Sequence, residues 1–246
     1  MNDTASAMVL YEDPSFLIVD KRAGIPTVPL KESPPDEPTL LGQIGELFPE
    51  VLTVNGRNGW EGGVLHRLDT PTSGLVVIAR TDAAYQRLLS ISQGGLFIKE
   101  YQAKSSAKER VMQSTFPPYP YEDPVHCGGR EVAVGSLFRH WGEHRREVRP
   151  VLSDSPRHIL DKSSPTWYLT RIFYGGETTD GTHSFTCQLS NGFRHQVRAH
   201  LAWSGWPIDG DERYGGTASH SLALRAIGVE FPHPFTGERI EVWADR

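Results

Sequence analysis

The chain has 246 residues, of which 38% are hydrophobic and 22% are charged, and its formal net charge is −5. No apolar run approaches the roughly 20 residues that a membrane-spanning helix needs, and the N-terminus lacks the basic and apolar regions of a signal peptide, so we expect no membrane partner and a cytoplasmic location. The acidic total excludes nucleic-acid binding by bulk charge alone.

The first quarter of the chain predicts a hairpin, a loop and a short helix. Residues 8–11 and 16–19 are apolar runs on either side of the turn residues 12–15, which is typical of a β-hairpin. Residues 22–38 are rich in proline and acid and predict a loop. Thr39 is a good N-cap for a helix that extends to Phe48.

The middle of the chain predicts two strands around a helix, followed by a long irregular segment. Residues 75–79 predict a buried strand, and a helix is expected from Thr81 to Ser92, ending at the glycine pair 94–95. Residues 96–103 predict another strand. Residues 113–165 are rich in proline, glycine and charge, with weak periodicity, and we expect them to be mostly surface.

The last part of the chain predicts more strands and one helix. Strands are expected over residues 167–173 and 184–189, and two short strands around the turn 234–237. Residues 193–204 have helical spacing and end at Gly205. The spacing gives an apolar stripe of Phe193, Val197 and Leu201, with Arg194 and Arg198 together to one side.

Strands therefore outnumber helices and do not alternate with them regularly. This pattern predicts an α+β fold whose central, mostly antiparallel sheet is flanked by helices and loops, rather than a doubly wound parallel sheet. No shift in composition marks a boundary, so we expect a single domain over residues 1–246. Cys127 and Cys187 are far apart and lack metal-type spacing, which predicts buried thiols in a reducing compartment and no metal site.

The charge is distributed unevenly along the chain. Residues 1–62 carry four Lys or Arg against ten Asp or Glu, and the rest of the chain is almost balanced. Positive charge is concentrated in residues 139–149 and 194–198. Local patches of this kind can hold a phosphate backbone despite an acidic total.

Asp69 lies in the segment HRLDTPTSGL, residues 66–75, where two interpretations remain open. An aspartate before Thr-Pro-Thr-Ser-Gly is typical of a turn in which the side chain bonds to its own backbone. It is also where a strand could hold a carboxylate that attacks a substrate or accepts a proton. Such a carboxylate would need a cation, for which Arg67 and Arg198 are candidates. Taken without that context, the cluster in residues 194–198 is more typical of a solvated helix face.

The same segment resembles the HRLDxxTSGL motif of the RluA-type RNA pseudouridine synthases. Residues 19–26 resemble the N-terminal Lys-Pro-x-Gly stretch of that family, with Arg22 in place of proline, and residues 99–101 resemble its K-x-Y strand. Residues 192–200 resemble GRTHQIRVH, and residues 205–215 resemble GxPIxGDxxYG. The motifs follow the family order over almost the whole chain.

The resemblance implies an isomerase that converts uridine in ribosomal or transfer RNA to pseudouridine without a cofactor. It implies that Asp69 is the essential aspartate, that Tyr101 stacks on the target base, that Arg198 pairs with the aspartate, and that Arg67 helps displace the base. Extruding a base from its stack costs on the order of a few kcal/mol, which an aromatic face and cations can offset. RNA is the expected partner, and we expect a monomer.

Three features depart from the family pattern. Phe193-Arg194 replaces the common Arg-Thr, Leu224-Arg225-Ala226 replaces Leu-His-Ala, and no N-terminal S4-type RNA-binding module is expected. RNA recognition would then fall on residues 126–158, the most basic candidate surface.

Two other classes of function remain as alternatives. One is a catalytically silent RNA-binding protein that kept the fold, but such a protein has no need of Asp69, Tyr101 and Arg198. The other is a hydrolase that uses Asp69 with His66 or His195. The chain lacks Gly-x-Ser-x-Gly, His-Glu-x-x-His and a phosphate-binding glycine loop, which disfavours the hydrolase.

Overall fold

The structure is a computed structural model that describes residues 8–29, 34 and 37–244. Part of the predicted loop 22–38 therefore lies outside the described residues. The strands are β1 (Met8–Glu12), β2 (Phe16–Lys21), β3 (Ser73–Ala79), β4 (Ile98–Ser105), β5 (Val132–Trp141), β6 (Glu147–Val151), β7 (Tyr168–Glu177), β8 (His183–Leu189), β9 (Leu224–Pro232) and β10 (Arg239–Trp243). The helices are α1 (Leu40–Leu47), α2 (Asp82–Gln93), α3 (Arg157–Leu160) and α4 (Gln196–Ser204).

The chain divides into two compact units. The first unit comprises Met1–Lys99 and Arg225–Arg246, and the second comprises Glu100–Leu224. β4 belongs mostly to the second unit, and β9 belongs almost wholly to the first.

The first unit contains a mostly antiparallel sheet in the order β1-β2-β3-β9, with β10 paired to β9. The predicted hairpin is confirmed as β1 and β2, and only the β3–β9 pairing within this unit's described strands is parallel. Gly74 in β3 has a φ of +115°, and a Cβ atom there would overlap the carbonyl oxygen of Ala226. Glycine is therefore needed where β3 begins to lie beside β9.

The helices of the first unit start where the sequence predicts. The Thr39 hydroxyl accepts a hydrogen bond from the Gly42 amide, and the Thr81 hydroxyl accepts one from the Ala84 amide, so both threonines are N-caps. α2 buries one face in an apolar cluster with the sheet. The cluster includes Phe16, Ile18, Leu75, Val77, Ala84, Leu88, Phe97 and Phe231.

The second unit contains strands in the order β4-β8-β7-β5-β6. The pairs β7–β8, β5–β7 and β5–β6 are antiparallel. α4 packs against β5 and β6, in a cluster that contains Phe138, Val148, Ala199, Ala202 and Tyr214. The predicted α+β fold with a mostly antiparallel sheet is confirmed.

Residues 113–165 are mostly exposed or half-buried, as predicted, but the segment also supplies β5 and β6, two strands that were not predicted from the sequence. Val132, Val134, Ser136 and Phe138 alternate as buried positions along β5. A polar residue occupies one of these positions, which hides the period of two from a sequence analysis. Ser136 is satisfied there because its hydroxyl lies 2.9 Å from Nε2 of the buried His200.

The structure also tests the predictions for the two cysteines and for the start of β4. Both cysteines are buried free thiols, as predicted. Strand β4 begins at Ile98, two residues later than predicted, and Leu96 is exposed. Among the described residues, no helix combines the length and apolar character needed to cross a membrane.

Candidate active site

Asp69 lies in the loop that leads into β3. Its backbone carbonyl accepts a hydrogen bond from the Thr72 amide at 2.9 Å, so Asp69 opens a turn. The preceding residue, Leu68, is fixed by Thr27, whose buried hydroxyl donates to the Leu68 carbonyl and accepts from the Leu68 amide. The backbone is therefore held on both sides of Asp69, while the side chain is half-buried.

A buried lysine ties the Asp69 loop to the end of β2. Lys21 is 0% exposed, and its ammonium donates to the carbonyl oxygens of Arg22 at 2.9 Å, Ile25 at 2.8 Å and Thr70 at 3.2 Å. These three bonds use all three ammonium protons. The residue that follows Asp69 is thus anchored to the turn after β2.

The charge of Lys21 also acts on Asp69. Burial lowers the pKa of Lys21 from 10.5 to about 8, and the negative charge of Asp69 opposes that shift. The lysine is therefore mostly a cation at neutral pH and attracts the carboxylate. No role for Lys21 was predicted from the sequence. A lysine that ends an apolar strand is the signal that could have found it.

Arg67 lies on the same loop as Asp69 and remains accessible. Its Nη1 atom donates to Oε1 of Glu61 at 2.8 Å, and the side chain of Arg67 is 56% exposed whereas that of Glu61 is 5% exposed. The buried carboxylate orients the guanidinium without covering it. Arg67 can therefore contact a large ligand from the surface.

His66 is a structural residue in this loop. Its Nε2 atom accepts a hydrogen bond from the Val77 amide at 3.3 Å. Burial, and then the charge of Lys99, lower the pKa of His66 to about 3, so the ring is neutral at physiological pH. With Nε2 occupied and a low pKa, His66 is a poor general base, which removes one form of the hydrolase alternative.

Tyr101 lies on β4 in the second unit and is 9% exposed. Its neighbour Glu100 accepts a hydrogen bond from Nε2 of Gln188 at 2.6 Å, which fastens β4 to β8 at this point. Lys99, two residues before Tyr101, is buried, and burial lowers its pKa to about 8. The predicted base-stacking residue therefore sits on a rigid strand.

Arg198 lies in α4 and forms a buried bidentate ion pair with Asp211. Nε of Arg198 donates to Oδ2 at 2.7 Å and Nη2 donates to Oδ1 at 2.8 Å, with the two side chains 5% and 0% exposed. The Tyr214 ring lies 5.3 Å from the guanidinium carbon. The interpretation of Arg198 as part of a solvated face is wrong. Asp211 was missed because it approaches Arg198 only in the folded chain.

The helix that carries Arg198 begins later than predicted. His195 has a left-handed backbone conformation with φ of 55°, and α4 starts at Gln196. Arg194 therefore precedes the helix, and its predicted helical pairing with Arg198 is wrong. Tyr214 holds this end of the helix, since its hydroxyl lies 3.0 Å from Nδ1 of His195 and accepts a hydrogen bond from the Val148 amide at 3.0 Å.

Two departures from the motif pattern have structural roles. The Phe193 ring stacks on Phe138 with centroids 5.1 Å apart, so it extends the core of the second unit. In the first unit, Nη2 of Arg225 donates to Oδ2 of Asp20 at 2.6 Å and links β9 to β2. The first unit thus brings Arg67, Asp69 and Lys21 to one loop, and the second unit holds Tyr101 and Arg198.

Comparison with known proteins matches this chain to one family. The family model described as RNA pseudouridylate synthase matches residues 15–203. The ribosomal large subunit pseudouridine synthase D of Vibrio parahaemolyticus is 27% identical over 252 residues, which cover 96% of this chain and 66% of that protein. An uncharacterized RNA pseudouridine synthase of Bacillus subtilis, YjbO, is 25% identical over 242 residues, covering 96% of this chain and 71% of that protein.

Solved structures agree on the fold. Human RNA pseudouridylate synthase domain containing 1 superposes with a TM-score of 0.65 at 20% identity, covering 98% of this chain and 84% of that chain. Human RNA pseudouridylate synthase domain containing 4 gives a TM-score of 0.61 at 16% identity, covering 96% and 87%. This chain spans just under two thirds of the length of the first synthase D relatives, 65–66%.

Proposed function

The chain belongs to the RNA pseudouridylate synthase family, and on that premise we propose that it isomerises uridine in RNA to pseudouridine. In this reaction the bond between N1 of the base and the sugar breaks, and the base rejoins the sugar through C5. The hydrogen on C5 leaves as a proton and N1 takes up a proton, so the product is an isomer of the substrate and atoms balance without a cofactor. The proposal rests on the combination of two observations. The region that matches the family model includes Asp69, and the loop that carries Asp69 is held by hydrogen bonds with Thr27, Thr72 and Lys21.

We propose Asp69 as the catalytic residue, whose carboxylate attacks either the sugar or the base. A carboxylate that forms a covalent intermediate must be held near its target, because positioning supplies much of the rate. The fixed backbone on both sides of Asp69 fits that requirement. Lys21 would act as a positioning residue, since it binds the next residue of the loop and attracts the carboxylate.

Arg67, Tyr101 and Arg198 are proposed as substrate-binding residues. The exposed guanidinium of Arg67 suits a residue that enters the RNA as the base leaves its stack. Tyr101 offers an aromatic ring fixed by a strand, and base–aromatic stacking is worth about 1–3 kcal/mol per base. Arg198 is oriented by Asp211. We further propose that residues 1–246 work as one catalytic domain.

Ribosomal RNA is the first substrate to test. The synthase D relatives carry the large ribosomal subunit in their names, while transfer RNA remains the alternative. RNA labelled with tritium at uridine C5, taken from cells that lack this gene, can be separated into ribosomal and transfer RNA fractions. We expect tritium release from the ribosomal fraction. We also propose that the enzyme is a monomer and that it acts in the cytoplasm. Release only from transfer RNA would contradict ribosomal RNA as the proposed substrate. No release from either fraction would contradict the proposed activity.

Lys21→Met is expected to lower kcat about tenfold, which corresponds to about 1.4 kcal/mol, because the variant loses the cation beside Asp69 and the anchor on Thr70. For the same reason, wild-type activity should fall as the pH rises through about 8, the pKa of Lys21. A neutral amine attracts Asp69 less and has two protons for three carbonyls.

The pH dependence of stability should have the opposite sign to that of activity. Folding lowers the pKa of this lysine, so the unfolded chain binds more protons between the folded value of about 8 and the unfolded value of 10.5. The free energy of unfolding contributed by Lys21 therefore rises over that range. Rate profiles and urea unfolding across pH 7–10 would check both signs. If Lys21→Met shows the same fall of activity at alkaline pH as wild type, the fall is caused by another group, such as Lys99, whose pKa is also about 8.

A further inference from the structure

The hairpin of β5 and β6, in the second unit, carries two arginines and a tryptophan on one face. Arg139 is in register with Arg149, and Trp141 is in register with Glu147, so these four side chains point to the same side of the sheet. The opposite face is buried through Phe138 and Val148. We refer to Arg139, Trp141 and Arg149 as the arginine–tryptophan cluster.

The two arginines of the cluster face each other across the strand pair. Like charges directly opposite one another in a sheet are destabilising. Both guanidiniums lie over the Trp141 ring, with the guanidinium carbon of Arg149 at 4.0 Å and that of Arg139 at 5.0 Å from the ring centroid. Such cation–π contacts orient the guanidiniums and offset part of the repulsion. Trp141 is 39% exposed, so the cluster is open to solvent.

Hydrogen-bond donors in the cluster are left over. Nε of Arg149 is buried and has no hydrogen-bond partner among the described residues. Its Nη1 atom makes only a long contact of 3.4 Å to the Thr115 carbonyl. Burial lowers the pKa of Arg149, Glu147 and Tyr214 oppose this, and the charge of Arg139 lowers it further. Since Nε of Arg149 is shielded from solvent, a bound anion would accept from the Nη atoms, and its charge would relieve the repulsion.

We propose that Arg139 and Arg149, oriented by Trp141, bind a phosphodiester group of the RNA substrate. This inference rests on the proposed function and locates one part of substrate binding. A guanidinium fork matches two phosphate oxygens, and two such forks with unused donors match one phosphate well. Positive charge continues beyond the cluster, since Nη1 of the exposed Arg213 donates to the carbonyl of the exposed Arg146 at 3.4 Å. A row of cations fits a chain of phosphates better than a single small anion.

The cluster is connected to Arg198 within the same unit. The Val148 amide, which lies between Glu147 and Arg149 on β6, donates to the Tyr214 hydroxyl, and the Tyr214 ring lies against Arg198. A phosphate held on the hairpin would therefore be fixed relative to a substrate-binding residue. The arrangement would hold the RNA backbone in register rather than take part in the chemistry.

The test is the double variant Arg139→Gln/Arg149→Gln. We expect the Kd for RNA and the KM to rise about tenfold, because charged hydrogen bonds to phosphate are lost. The slope of log K against log salt should fall by about one, the value for one phosphate contact. At saturating RNA, kcat should stay within about twofold of wild type, because an interaction made equally in ground and transition states changes KM alone.

A matched control is available in the first unit. Arg87 also lies over an exposed aromatic ring, with its guanidinium carbon 4.6 Å from the centroid of Phe235. Arg87→Gln removes one arginine charge, half of what the double variant removes, and should leave Kd, KM and salt slope unchanged. A loss in this control of about half that of the double variant would show that total charge is responsible, and would overturn the site.

Failure of the site and failure of the proposed function give different results. If wild type releases no tritium from RNA, the isomerase proposal fails whatever the hairpin does. If wild type is active and the double variant keeps the wild-type KM and salt slope, the phosphate site alone is wrong. Trp141→Leu is the second variant should the double variant unfold. It should weaken RNA binding without changing the slope, because no charge is removed, and unchanged affinity would contradict the orienting role of the ring.

Discussion

Asp69→Asn is expected to lower the rate of isomerisation by at least about a thousandfold, on the order of 4 kcal/mol in the barrier. An amide of the same size can neither form the covalent intermediate nor carry the charge that Lys21 attracts. Folding should be nearly unchanged, because the turn is closed by the backbone carbonyl of Asp69, and Leu68 is held by Thr27. RNA affinity should also stay close to that of wild type.

Tritium release, RNA affinity and thermal unfolding would be measured together on this variant. The exposed Asp161 provides the control, since Asp161→Asn makes the same chemical change on the surface of the second unit, outside residues 126–158, and should leave all three properties unchanged. An Asp69→Asn protein that still turned over would remove Asp69 from the chemistry. One that failed to fold would show that the carboxylate is structural.

Arg198→Ala should cost both activity and stability. The substitution leaves the fully buried carboxylate of Asp211 without its bidentate partner, and breaking a buried ion pair in this way costs about 3–5 kcal/mol. Urea unfolding would measure the loss. Stability close to that of wild type would mean that the ion pair does not form in solution.

A second variant separates the structural role of Arg198 from its role in substrate binding. In Arg198→Met/Asp211→Asn the buried charge is absent, so much of the stability should return. Activity should remain low, because no guanidinium is left for the substrate. Recovery of activity along with stability would show that Arg198 serves the fold alone.

The sequence predicted those elements whose signals are local. Thr39 and Thr81 mark the starts of α1 and α2 because a hydroxyl cap acts within three residues. The hairpin of β1 and β2 is likewise set by a short turn between apolar runs. Asp69 was identified through the order of several motifs, since its own context favoured a turn, and it does open one.

The features that sequence analysis missed depend on contacts between distant residues. Ser136 is buried in β5 because His200, 64 positions away, bonds to it. Lys21 is stabilised by the Thr70 carbonyl, 49 positions away. The start of α4 depends on His195 adopting a left-handed conformation, which is uncommon for residues other than glycine and is held here by Tyr214. Neither propensity nor periodicity carries such information.

The central claim is most directly tested by the hydrogen that must leave uridine C5. RNA from cells that lack this gene, labelled with tritium at that position, would be incubated in parallel with wild type and with Asp69→Asn. Release of tritium to water by wild type, with pseudouridine formed in equal amount and none with the variant, is the predicted result. No release by wild type while the RNA stays bound would contradict it and would leave an RNA-binding protein that kept the fold without the chemistry.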